Sequence, residues 1–233
     1  MGVFLWSRAL ASHFSTAFFK FLRALKRNND REWFAANRAR YAAEVEAPML
    51  EFIADFAPRL RKISRAFVAD PKRTGGSMFR IYRDTRFSPD KTPFKTWMAA
   101  RFPHEARNKT DGVPGFYLHL EPKEECYGGG GVYHLEMPAL LKIRQHIVAA
   151  PKAWAAVLAT GIEIEGDRLS RPPAGFDPKH KFIEDLKRKD LYTLTEFSER
   201  QATAPDFLDR YTDACERAAP LLQFLTKALA LRW

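Results

Sequence analysis

The spacing of large apolar residues changes period along this chain, and that change limits the fold more than any other feature. From Phe14 these residues fall at helical intervals: Phe14, Phe18, Phe21, Leu22 and Leu25. Such three-and-four spacing puts side chains on one face of an α-helix. Asn28-Asn29 closes the pattern, and Asp30 can cap a new helix from Arg31, because a carboxylate there accepts a free N–H of the first turn. The second helix carries Trp33, Phe34 and Tyr41, is interrupted near Pro48, and resumes with Leu50, Ile53, Phe56 and Leu60. Residues 14–66 read as a helical hairpin or a three-helix run. Beyond Pro71 and Gly75-Gly76 the period drops to two. In an extended strand Arg80, Tyr82, Asp84 and Arg86 share one face, and Phe79, Ile81, Arg83 and Thr85 the other. Ser88-Pro89-Asp90 makes a turn, and Thr92-Pro93 reads as the cap and first residue of a short helix through Trp97 to about Arg101.

Gly115 to Glu121 alternates, with Phe116, Leu118 and Leu120 inward and Tyr117, His119 and Glu121 opposite, until Pro122 ends the strand. A second strand runs from Cys126 through four glycines to Tyr133. Pro138 opens a helix with Leu141, Ile143, Ile147 and Val148, and another spans Ala153 to Leu158. Short strands follow near Ile162 to Ile164 and at Leu169. After Arg171-Pro172-Pro173-Ala174-Gly175-Phe176, Asp177-Pro178 begins a helix with Phe182, Ile183 and Leu186. Leu191 to Phe197 is extended. The last helix, Pro205 to Leu231, contains Pro220, which should kink or split it. The pattern predicts an α+β fold: residues 1–13 as a tail, and one domain over 14–233 with a central, mostly antiparallel sheet flanked by helices.

Composition bounds the function. Of the 233 residues 46% are hydrophobic, enough for a core and against disorder. The opening MGVFLWSRALAS is a poor signal peptide, and Trp6 stands where a myristoylation motif needs Ser or Thr. No run of eighteen apolar residues occurs, so a membrane span is not expected. Cys126 and Cys215 lie far apart with no zinc-site spacing among the histidines, which fits two free thiols in a reducing, cytoplasmic setting. Net charge is +10, and residues 1–66 carry 12 basic against 6 acidic side chains. Such a field attracts polyanions.

Three clusters carry possible chemistry. In the first, Arg80, Arg83, Arg86, Lys91 and Lys95 outnumber Asp84 and Asp90 and are interleaved with large apolar residues. A half-buried segment of this kind can clamp phosphate or carboxylate with planar guanidinium forks; the same residues can also form an internal ion-pair network. The second is Gly128 to Gly131 followed by Tyr133. Backbone at Gly129 and Gly130 can approach an anion closely, although the run is neither a P-loop nor a dinucleotide fingerprint, and a bulge or hairpin would look the same. In the third, His119 beside Tyr117 and Glu121 is a candidate acid or base.

The stretch from Arg80 to Phe94 resembles the signature R-x-x-R-D-x-R-F-x-x-x-D-K-x-x-Y of a mainly bacterial family of uncharacterised proteins, a domain of unknown function also found within larger fungal proteins. Asn28 to Phe34, Gly115 to Tyr117, the glycine run with Tyr133, and Arg171 to Phe176 are similar to the same family. The signature positions here are Arg80, Arg83, Asp84, Arg86, Phe87, Asp90 and Lys91, with Phe94 where tyrosine is usual. The resemblance implies a site without implying a reaction or a cofactor.

The leading expectation is therefore a pocket for a small phosphate- or carboxylate-bearing ligand, built from Arg80, Arg83, Asp84, Arg86, Asp90, Lys91, Gly129, Gly130 and Tyr133, with His119 for proton transfer. The rival is a nucleic-acid-binding face on the first helix, where Lys20, Arg23 and Arg27 align and Lys26 adds charge.

Overall fold

The protein is described by a computed structural model covering residues 12–108, 112–123 and 125–233. Of the expected tail, residues 1–11 lie outside the described residues. His13 is already tied down, its Nε2 2.9 Å from the Asp55 carboxylate.

Local sequence explains the first helices. Helix α1 spans Thr16–Arg27, capped by the Ser15 hydroxyl, which accepts from the Ala17 N–H. Helix α2 spans Arg31–Ala36, and the Asp30 carboxylate accepts from the Trp33 N–H at 2.8 Å. Helix α3 (Arg38–Tyr41) follows after Asn37, then a widened π turn at Ala42–Glu46, then α4 over Ala47–Ile63. The interruption expected near Pro48 thus falls just before it. Pro48 occupies the first turn of α4, where a missing N–H costs little.

The sheet has four antiparallel strands in the order β1-β2-β3-β4: Met98–Pro103, Gly115–Glu121, Glu125–Val132 and Leu191–Phe197. Arg101 faces Tyr117, Tyr117 faces Gly129, and Gly129 faces Leu194 across the ladders. Between β3 and β4 lie α5 (Met137–Ala149), α6 (Pro151–Ala159) and the short α7 (Ile183–Leu186). The strands expected near Ile164 and Leu169 are single bridges, Glu165 to Tyr192 and Arg168 to Arg188. After β4 come α8 (Glu199–Ala202) and α9 (Phe207–Ala228). Helix α9 passes through Pro220 unbroken, held on both sides by buried neighbours in two apolar clusters.

Those clusters lie on one side of the sheet. The larger joins Phe14, Phe18, Phe52 and Phe56 of the amino-terminal region to Phe102, Phe116 and Leu118 of the sheet and Tyr211 of α9. The second gathers Ile143, Ile147, Trp154 and Leu186 around Leu221, Phe224 and Leu225 of the same helix. Burying a side chain such as Phe or Leu contributes about 1.5–3 kcal/mol, so α9 is anchored along its whole length. The opposite sheet face, with Tyr117, Tyr127 and Leu194, stays half-buried.

The arginine-bearing segment departs from expectation. Residues 79–86 do not form a strand, and no helix follows Thr92. The segment runs outside β1, joined by a bridge between Met78 and Ala100 and by the Phe79 N–H donating to Ala99 O at 2.9 Å. β1 thus lies between the Arg80 segment and the Phe116 strand. A second bridge pairs Tyr82 with Phe94; the Arg83 N–H donates to Pro93 O (2.9 Å) and the Lys95 N–H to Ile81 O (2.8 Å). Pro93 has no N–H to extend this ladder. Residues 84–91 project as a charged loop.

Candidate functional site

Asn29, between α1 and α2, fixes the base of the loop. Its Nδ2 donates to Phe94 O at 2.9 Å, and the Phe94 N–H donates to its Oδ1 at 3.1 Å. One side chain thus satisfies both backbone groups of a residue that local sequence would have placed in a helix. Beside this clamp Phe34 stacks on Phe94, ring centres 4.1 Å apart, and Tyr82 packs against both rings. Phe94 is 2% exposed, and it serves as an apolar wall here.

The corner encloses an open groove of about 830 Å³ between α2 and the loop. Arg31, Arg38, Arg83 and Lys91 line it, and among the described residues Asp30 is the one acidic side chain in its wall. The Asp30 carboxylate is engaged in capping α2. Arg38 Nη1 donates to the Tyr82 hydroxyl at 3.4 Å, and Lys91 Nζ donates to Thr85 O at 2.9 Å. Among the described residues no carboxylate pairs with Arg31, Arg38 or Lys91. The groove therefore carries a cationic surplus over an aromatic wall, able to hold a small anion through charge-assisted hydrogen bonds.

The remaining charges of the segment are partly spent on each other. Arg83 bonds the Asp90 carboxylate and the Thr92 hydroxyl, and Arg86 grips Asp84 through Nε (3.0 Å) and Nη2 (2.7 Å). Hydrogen bonds from Arg86 pull the Asp84 carboxyl down to about 2, and those from Arg83 and Thr92 do the same to Asp90. Asp84, Asp90 and Lys95 line an adjoining hollow of about 560 Å³ that shares Asn29 and Arg83 with the groove. Arg80 and Arg86 line neither hollow. Of the sequence candidates, Arg83 and Lys91 thus face the groove, where Arg31 and Arg38, which no sequence spacing joins to this segment, line the opposite wall.

His119 lies on the open face of the sheet, buried between aromatic rings. It stacks parallel to Tyr127 at 4.7 Å and against Trp97 at 4.8 Å. The Tyr117 hydroxyl is 3.1 Å from its Nδ1 and a Glu121 carboxylate oxygen 3.5 Å from its Nε2. Glu121 also receives the Thr96 hydroxyl (3.3 Å) and lies 3.5 Å from Lys26 Nζ. Burial pushes the Tyr117 phenol well above its ordinary range, so it stays neutral.

The glycine run is not beside the arginine loop, and packing accounts for it. A Cβ on Gly128 would stand 2.6 Å from Tyr211 Cε2, and one on Gly130 2.8 Å from Leu222 Cδ1. These glycines let α9 lie close to β3. A Cβ on Gly129 would come within 2.0 Å of Thr193 O on β4. Gly130 and Tyr133 do border a separate cleft of about 480 Å³ on the open face.

On α1, Arg23 is bound bidentately by Glu199 at 2.7 and 2.8 Å, and Lys26 pairs with Glu121. Two of the four cations expected to meet nucleic acid are engaged within the molecule. Among the described residues no helix is long and apolar enough to cross a membrane.

The chain belongs to the conserved hypothetical protein family DUF2461, whose model matches residues 17–224. The match covers both segments that meet at the Asn29 clamp. No curated protein and no solved structure matches the chain.

Proposed function

We propose that the groove between α2 and the 82–94 loop binds a small ligand bearing phosphate or carboxylate. The observation that carries this reading is the convergence of Arg31, Arg38, Arg83 and Lys91 on one groove, three of them without a carboxylate partner among the described residues. Cations held together repel one another, and an anion seated among them relieves that repulsion. Phe34, Tyr82 and Phe94 offer an apolar wall for the rest of the ligand.

Calorimetric titration with inorganic phosphate, pyrophosphate and citrate tests the reading. A charge-assisted hydrogen bond contributes about 1.5–3 kcal/mol, so Arg38→Gln should weaken binding roughly 10- to 100-fold. Arg86→Ala, away from the groove and paired with Asp84, should leave affinity unchanged. Anion binding that survives Arg38→Gln and Lys91→Gln, or no binding of any of the three anions, would refute the assignment.

A further inference from the structure

A second cleft lies on the open face of the sheet, separate from the arginine groove. The Cβ directions of Gly128 and Gly130 point at α9, while those of Gly129 and Gly131 run into the β4 backbone at Thr193 O and Leu191 O. Gly130 and Gly131, which carry no side chain, border the cleft with their backbone. Aromatic rings stand around it: Tyr117 and Tyr127 with centres 6.0 Å apart, Phe79 edge-on to Tyr117 at 6.0 Å, and Tyr133 edge-on to Tyr192 at 6.0 Å. Tyr133 is 66% exposed, a large ring on the rim of the cleft. Arg101, opposite Tyr117 in the ladder, closes the wall.

Arg101 is the polar anchor. Its Nη2 donates to Val113 O at 2.9 Å, and no carboxylate pairs with it among the described residues. Arg101 is an exposed residue of β1, and its side chain lines the cleft. A carboxylate can accept charge-assisted hydrogen bonds from this guanidinium, and flat rings suit the aromatic walls and the glycine backbone between them.

We propose that this cleft is a binding site for a small planar aromatic acid, the carboxylate on Arg101 and the ring among Tyr117, Tyr127, Tyr133 and Tyr192. Tyr117, its hydroxyl 3.1 Å from His119 Nδ1, forms one wall of that cleft.

The test is NMR titration of the whole chain with benzoate, cyclohexanecarboxylate and benzamide. Benzoate should bind and shift the amides of Gly130 and Tyr133. Cyclohexanecarboxylate, charged without a flat ring, and benzamide, flat without the charge, should each bind at least 10-fold more weakly. Arg101→Gln and Tyr133→Ala should each weaken benzoate binding about 10-fold, while Arg38→Gln, in the other groove, should not change it. Tyr133 is a surface side chain, so its variant reports even if Arg101→Gln fails to fold. No benzoate binding, equal binding of the two carboxylates, or binding indifferent to Tyr133→Ala would overturn the proposal.

Discussion

Asn29→Ala should release the arginine loop from the helical region. The side chain makes two hydrogen bonds to the backbone of Phe94, at 2.9 and 3.1 Å, both partly buried. A net hydrogen bond contributes about 0.5–1.5 kcal/mol, and alanine leaves both Phe94 groups without their partner. The expected loss is about 2 kcal/mol. If the loop opens as a unit, that loss raises its open population roughly 30-fold. The assay is amide hydrogen exchange at Arg83 and Lys95. Their N–H groups bond Pro93 O and Ile81 O and touch Asn29 only through the ladder. Both should exchange roughly 30-fold faster, and anion affinity in the groove should fall with them. Asn29→Asp keeps the acceptor for the Phe94 N–H but sets a carboxylate against Phe94 O, so it should loosen the loop at least as much. Faster exchange confined to Phe94, with Arg83 and Lys95 as protected as before, would refute the clamp.

Gly128→Ala should destabilise the protein by about 2 kcal/mol, within the usual range for overpacking, because the new methyl meets Tyr211 at 2.6 Å. A fall of about 4–8 °C in melting temperature is expected for a chain of this size, and an unchanged melt would show that α9 can yield. Asp84 and Asp90 carboxyls, held at about 2 in the folded chain against an ordinary 3.8, add stability above pH 4 that disappears as pH falls through 2. Carboxyl NMR should show both titrating near 2, and Arg86→Ala should return Asp84 toward about 4; an unmoved Asp84 midpoint would contradict the pairing. Cys126 and Cys215 are buried, and burial raises the Cys215 thiol. Neither should react with a water-soluble disulfide reagent at pH 8 until the chain unfolds, and reaction of the folded protein would contradict that burial.

The elements that were legible in the sequence are those whose causes are local. Asp30 caps the helix it immediately precedes. The alternation of Phe116, Leu118 and Leu120 describes a strand with one face in the core. The same rule misled at Arg80, where alternating charge and bulk belong to a loop lying on the edge of the sheet. Thr92-Pro93 carries the signature of a helix start. It is overruled by Asn29, sixty-five positions away, which takes the Phe94 backbone groups a helix would have used.

Residue type singled out the arginine segment as chemically unusual, and Arg83 and Lys91 do face a groove. Its other wall, Arg31 and Arg38, comes from α2 and α3, and no spacing rule joins those residues to the loop. Composition also could not say why four glycines stand in a row. Tyr211 and Leu222 press on two of them and the β4 backbone on a third. Helix caps and strand periods are read within a few residues because their hydrogen bonds close there. A groove between distant segments depends on which long-range contacts win when the core forms, and that was settled only by packing in three dimensions.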